Sequence, residues 1–301
     1  MIRCRGVLNR FSVPLFFLLA YAWSWGCWFF IPKVLDVYRN VLQGDTPIIT
    51  ISSIPIYVRI GFVVAALSDT FGPAISAIIL TAAINGKTGL REFFGRIVKW
   101  RVGLRYFLAA LLIPPAMMIV RLGLILLLGG DLQTDIATTG FMAVLGIFIS
   151  NFLVSGGQEE LGFRGFAQPK LQEKFSPVIT SLIIGVLWFF WHLPLYIWIP
   201  SASQYGQSLV FGVLAQISFC FTFTWIYNRT KSILLPMLLH ATINSLGNIL
   251  LVDVSGSQAL IIAWAGVILP YFILGTWLIW RDGNKYQAAS SPAVNELANE
   301  K

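Results

Sequence analysis

Few residues of this chain could do chemistry in an apolar setting, and they fall into three groups. In the run Gly156-Gly157-Gln158-Glu159-Glu160-Leu161-Gly162-Phe163-Arg164, Glu160 and Arg164 are four apart. On a helix they can pair, while Glu159 points about 100° away. One carboxylate can thus be held by the arginine and the other left for a separate task. The chain has 2 histidines, His192 and His240, each inside a long apolar run, and Asn244 follows His240 by one helical turn on the same face. Titratable groups inside such runs are costly to bury and signal function when they share a partner or a cavity. The plain alternative is that the glutamates mark a helix end ahead of Pro169 and that the histidines are packing contacts. It leaves their common depth unexplained. Counting inward from Pro169, Pro177 and Lys231 puts Glu159 roughly 15 Å, His192 roughly 22 Å, His240 roughly 14 Å and Asn244 roughly 20 Å deep.

A carboxylate, two imidazoles and an amide in one layer suit amide hydrolysis, where a base must take a proton from water and donors must meet the developing oxyanion. Glu159 is the expected base, with His192 orienting the same water. His240 and Asn244 are the expected oxyanion donors, and Glu160 with Arg164 the supporting pair.

The elements that position these residues must be membrane helices. Of 301 residues, 57% are hydrophobic and 11% charged, against about 25% charged in a soluble domain. Apolar runs near the roughly 20 residues that cross a bilayer are read at Phe11 to Ile31, Ile60 to Ile84, Tyr106 to Leu128, Phe141 to Gly157, Pro177 to Ile199, Leu209 to Tyr227, Ile233 to Leu251 and Ala259 to Trp280. The expected fold is an all-α membrane protein, a bundle of about eight transmembrane helices. Residues 1–283 form one membrane domain, and the polar stretch 284–301 is expected to be a disordered cytoplasmic tail. The segment from Lys33 to Arg59 reads as an external loop or a stretch that partly dips into the interface.

The net charge of +8 points to topology rather than nucleic acid, because the cations lie in alternate connections. Arg3, Arg5 and Arg10, the stretch from Lys87 to Arg105, Lys170 and Lys174, Arg229 and Lys231, and Arg281 with Lys285 form one set. The opposite loops hold Lys33 and Arg39 beside Asp36, Asp45, Asp131, Asp135 and Asp253. By the positive-inside rule both termini are cytoplasmic. Leu90, Phe93, Phe94, Ile97 and Val98 recur at helical spacing among cations, as in an amphipathic helix at a membrane surface. Cys4, Cys27 and Cys220 have neither disulfide nor zinc spacing and read as ordinary thiols.

Glu159-Glu160-x-x-x-Arg164, an aromatic-x-x-x-His192 and His240-x-x-x-Asn244, in this order on successive helices, resemble the CAAX protease and bacteriocin-processing family, also called CPBP or Abi. The resemblance covers about residues 60–250. It implies a CAAX-protease-like helical intramembrane endopeptidase, with Glu159 activating water, His192 as its partner and His240 with Asn244 as oxyanion pair. One departure is Trp188, where the second motif usually has Phe; its large aromatic surface is expected to alter packing rather than chemistry. The family is often labelled metalloprotease, and Glu159, His192 and His240 match zinc ligand types. The His-Glu-x-x-His helix is absent, so no cofactor is favoured and zinc is the alternative. The expected partners are the lipid bilayer and a membrane-associated peptide or protein substrate, prenylated in the CAAX case, in a bacterial inner membrane. The rival functions are a non-catalytic bacteriocin-immunity or scaffold protein of the same fold and a proton-coupled transporter.

Overall fold

The computed structural model describes residues 8–42, 55–57, 59–60, 69–128, 140–200, 202, 204–249, 261–262 and 264–282. Every regular element among the described residues is helical: α1 (Ser12–Leu42), a 3-10 turn (Asp69–Phe71), α2 (Gly72–Ile97), α3 (Leu104–Leu127), α4 (Phe141–Leu153) and α5 (Glu159–Gly162). A π-turn (Phe163–Ala167), α6 (Gln168–Gln172), α7 (Pro177–Ile197), α8 (Leu209–Thr230), α9 (Leu234–Ile249), a second π-turn (Trp264–Ile268) and α10 (Leu269–Asp282) complete the order.

Five helical stretches are long and apolar enough to cross a bilayer: Ser12–Phe30, Leu104–Leu127, Pro177–Ile197, Leu209–Thr230 and Trp264–Asp282; Phe141–Leu153 is a shorter apolar helix. Their outward faces are bare hydrocarbon, with Leu127 83%, Trp280 78% and Ile119 69% exposed. In water such a surface would drive aggregation; in lipid it is the solvated face. The chain is an all-α integral membrane protein. Inside, α8 packs between α7 and α10, α9 lies against α3 and α4, and α1 against α2.

Local chemistry sets the boundaries. Pro177 opens α7 behind Ser176, whose hydroxyl accepts the Ile179 N–H, and Ser208 does the same for Phe211 at the start of α8. Lys231, in the left-handed conformation at φ 52°, closes α8.

Four boundaries differ from the sequence reading. Residues 33–42, expected in an external loop or a stretch dipping into the interface, continue α1. The second span, read as Ile60 to Ile84, is described from Gly72, with residues 61–68 outside the description, and runs through a break at Gly86 to Ile97. The amphipathic segment is therefore the second half of α2, and its Phe93 is fully buried in the bundle while Phe94 and Val98 stay exposed. The fourth span ends at Leu153, so Glu159 and Glu160 start a separate helix. Pro169 does not end that helix. It sits in the first turn of α6, directly after the π-turn, whose wider register takes up the missing N–H that would otherwise break a helix. The polar tail expected from residue 284 lies outside the described residues.

The basic connections gather on one face. Arg96 donates to the Tyr227 hydroxyl at 2.7 Å, Ser232 to the Lys99 carbonyl at 2.7 Å, and Lys170 to Asn9 at 3.0 Å. The start of α1, the end of α2, α6 and the α8–α9 turn therefore meet at the same end of the bundle.

Candidate active site

Four segments bring the chemistry together: the Val154–Gln158 turn with α5 and its π-turn, then α7, α8 and α9. The turn exists because Gly156 takes φ 149°, a value L side chains rarely adopt. The Gln158 side chain accepts from the Gly156 N–H at 2.9 Å and donates to the Thr70 carbonyl at 3.3 Å. The Thr70 hydroxyl in turn donates to the Val154 carbonyl at 2.6 Å. Behind the turn, Gly162 lets α5 approach α2 so closely that a Cβ there would fall 2.6 Å from the Pro73 carbonyl.

The two glutamates diverge as the helical spacing requires. Glu160 is fully buried and bridges two cations or potential cations: one oxygen lies 2.8 Å from the Arg164 guanidinium, and the other accepts from His240 Nδ1 at 2.8 Å. Arg164, also fully buried, donates to Cys220 Sγ at 3.2 Å and lies over the Phe223 ring at 4.3 Å. The pair expected from sequence is present, and it holds His240 as well. Glu159, 3% exposed, is not left free: its Oε2 accepts the indole N–H of Trp188 at 2.7 Å.

Trp188 is the hub of the cluster. Its ring centroid is 5.3 Å from that of His240, 5.8 Å from that of His192 and 5.8 Å from that of Phe163. His192, one turn further along α7, places Nδ1 3.0 Å from the side-chain amide of Gln216 on α8. With Nδ1 engaged, Nε2 is the ring nitrogen available to a water. His240 likewise commits Nδ1 to Glu160, which leaves its Nε2 for chemistry.

His240 Nε2 and the Asn244 amide nitrogen converge on Gly156. A Cβ at that glycine would lie 2.9 Å from the first and 2.6 Å from the second, so the bare Cα keeps both nitrogens clear. Asn244 donates one amide hydrogen to the Ser155 carbonyl at 2.7 Å, and its second remains for another acceptor. Three residues before the turn, in α4, Asn151 donates to Ser245 on α9 at 3.0 Å and ties the two helices together.

Three contributors escaped the sequence reading. Trp188 reads in the sequence as packing, yet it donates to Glu159. Gln216 carries no charge, and its only signal was a polar residue mid-way along an apolar helix. Gly156 was visible as part of a Gly-Gly pair without a stated use. As for metal, no group of three or more His, Cys, Asp or Glu able to hold an ion occurs among the described residues. No such group joins Glu159, His192 and His240, although the contacts of the imidazole Nδ1 atoms with Glu160 and Gln216 leave both Nε2 atoms for other partners. No step is therefore routed through a metal.

An apolar helical bundle enclosing a buried carboxylate, two oriented imidazoles and a donor pair beside a bare glycine defines a membrane protein with a polar centre shielded from lipid. Comparison with known proteins shows what the chain is similar to. Residues 141–246 match the family described as type II CAAX prenyl endopeptidase Rce1-like, a window that contains every residue of the cluster. The chain is also 27% identical over 198 residues to the CAAX prenyl protease 2 of Methanococcus maripaludis, covering 61% of this chain and 71% of the relative. Over the residues of the cluster the chain is thus similar to CAAX prenyl endopeptidases, in line with the resemblance carried by its motifs.

Proposed function

We propose that this chain is an intramembrane endopeptidase that hydrolyses a peptide bond of a membrane-associated, prenylated protein or peptide, with water activated by Glu159. The observation that carries the reading is the convergence of His240 Nε2 and Asn244 Nδ2 on the unfilled position at Gly156, on the turn that leads into Glu159.

Glu159 takes a proton from water as the water oxygen attacks the scissile carbonyl carbon, with His192 Nε2 orienting that water. The carbonyl oxygen becomes an oxyanion and receives hydrogen bonds from His240 Nε2–H and the second Asn244 amide hydrogen. Donors fixed in this way stabilise a developing charge without reorganising. Collapse breaks the C–N bond, and Glu159 returns the proton to the leaving amine. His240 donates from Nε2 as an imidazolium, and the Glu160 carboxylate at 2.8 Å compensates that charge. Arg164 holds Glu160 in place from the other side. The face that gathers the basic connections is the cytoplasmic one under the positive-inside rule, and a bacterial inner membrane is the proposed location.

The test is cleavage of membrane-tethered peptides, a farnesylated CAAX peptide among them, by the purified parent and by Glu159→Gln, His192→Ala and His240→Ala variants. Cleavage by the parent and its loss in all three supports the mechanism. A parent that cuts none of the panel, or variants that cut as well as the parent, removes the protease reading and favours a binding or immunity role.

A further inference from the structure

Away from the Glu159 cluster, a cleft of about 530 Å³ opens between α3, α8 and α10. Its volume is within the about 300–1,000 Å³ typical of small-molecule sites, and none of its residues belongs to the cluster. One end is cationic: Arg105 at the start of α3, Arg229 at the end of α8 and Arg281 at the end of α10. The other end is hydrocarbon, from Ala109, Ile113 and Leu274.

The gradient runs along the helix axes. Arg105, Ala109 and Ile113 are spaced by four along one face of α3, so the wall changes from charge to hydrocarbon over about 12 Å. On α10, Leu274 and Leu278 precede Arg281 in the same sense. The charged end lies on the face where the basic connections gather, and the apolar end points into the bilayer.

The charges are ordered in place. Asp282 accepts from the Trp225 indole at 2.8 Å and pairs with Arg229 at 3.3 Å and Arg281 at 3.4 Å. Arg105 and Arg229 both donate to the Tyr106 hydroxyl, at 3.0 and 3.2 Å, which leaves the phenolic hydrogen for an incoming acceptor. Three guanidinium groups against one carboxylate leave a surplus of two positive charges.

We propose that this cleft binds an anionic phospholipid, its phosphate held by Arg105, Arg229, Arg281 and the Tyr106 hydroxyl and its proximal acyl chain lying on Ala109, Ile113 and Leu274. An inorganic phosphate satisfies the charges but not the apolar wall. A zwitterionic phospholipid satisfies the wall but brings its own ammonium to a cationic end. Basic pockets between membrane helices on the cytoplasmic side are suited to anionic headgroups for this reason.

The experiment uses the full chain in neutral detergent with a fluorescent phosphatidylglycerol as probe, displaced by unlabelled phosphatidylglycerol, phosphatidylcholine or inorganic phosphate. Phosphatidylglycerol should compete at least ten-fold better than either alternative. The Arg105→Gln/Arg281→Gln variant should bind the probe about 25-fold more weakly, at roughly five-fold per cation near an anionic lipid. Leu274→Trp, which fills the apolar half and touches no charge, should weaken the probe and leave displacement by phosphate unchanged. Circular dichroism and gel filtration check that both variants are folded. Equal displacement by phosphatidylcholine, displacement by inorganic phosphate as strong as by phosphatidylglycerol, or parent-like binding by both folded variants overturns the proposal. The result is independent of whether the chain cleaves any peptide.

Discussion

Replacing Trp188 by Phe separates the two things its ring does. The indole is 3% exposed and fills space between Phe163, Phe223 and both histidines, and its N–H donates to Glu159 Oε2 at 2.7 Å. Phe keeps most of the packing and removes only the donor. A hydrogen bond to a charged group contributes about 1.5–3 kcal/mol, and a buried carboxylate oxygen deprived of its donor retains its desolvation cost. The ring truncation adds a separate loss, which a double-mutant cycle removes. Trp188→Phe is made in the parent and in Glu159→Ala, and the four proteins are unfolded in mixed detergent micelles and followed by far-UV circular dichroism. The coupling free energy should be about 1.5–3 kcal/mol, roughly a ten- to hundred-fold difference in the unfolding constant. Since the resemblance places Phe at this position in relatives, catalysis should tolerate the change, with kcat within about ten-fold of the parent, or about 1.4 kcal/mol in the barrier. A coupling near zero would refute the reasoning, because the indole would then act on Glu159 through packing alone.

Further outcomes follow from the same geometry. Gly156→Ala puts a methyl group 2.6 Å from the Asn244 amide and 2.9 Å from His240 Nε2. Cleavage should fall about 10²- to 10³-fold, the loss typical of an obstructed oxyanion donor, with helical content by circular dichroism unchanged. Glu160→Gln leaves the fully buried Arg164 without its counter-charge and should destabilise the fold by about 3–5 kcal/mol. Glu159→Gln should be far milder in the same unfolding titration. Cleavage should persist in EDTA, with elemental analysis of the purified protein as the companion measurement; activity that is lost on chelation and restored by zinc would assign Glu159 and the Nε2 atoms of His192 and His240 to an ion.

What was legible in the sequence was whatever helical periodicity encodes. Spacing by four predicts the Glu160–Arg164 pair at 2.8 Å, and spacing by four sets His240 and Asn244 against the same glycine. The starts of the helices at Phe141, Pro177 and Leu209 were readable because apolar composition changes abruptly there. The break between α4 and α5 was not, since Gly156 and Gly157 inside an apolar run are compatible with a continuous membrane helix. Neither was the passage of the helix through Pro169, which depends on a π-turn that no local residue preference announces.

The contacts between helices were harder to read, for a reason that also explains how the site works. In an apolar helix a histidine or glutamate stands out because its burial is costly, so titratable residues mark themselves. Tryptophan and glutamine do not: one counts as hydrophobic and the other as merely polar, yet each holds a reactive group in orientation. Glu159 is held by an indole from α7, His192 by an amide from α8, and His240 by a carboxylate from α5. Each reactive side chain is thus fixed by a partner on a different helix, so a shift of any one helix misaligns a group on another. A bundle built in this way couples the integrity of the site to the packing of α5, α7, α8 and α9. Gln216→Leu should therefore lower kcat about ten-fold by freeing the His192 ring, with little loss of stability. Gln216→Glu, which replaces the amide donor facing Nδ1 by a carboxylate acceptor, should not restore that activity. Parent-like turnover in Gln216→Leu would mean that the His192 orientation is set by the Trp188 and Trp191 rings and not by the amide.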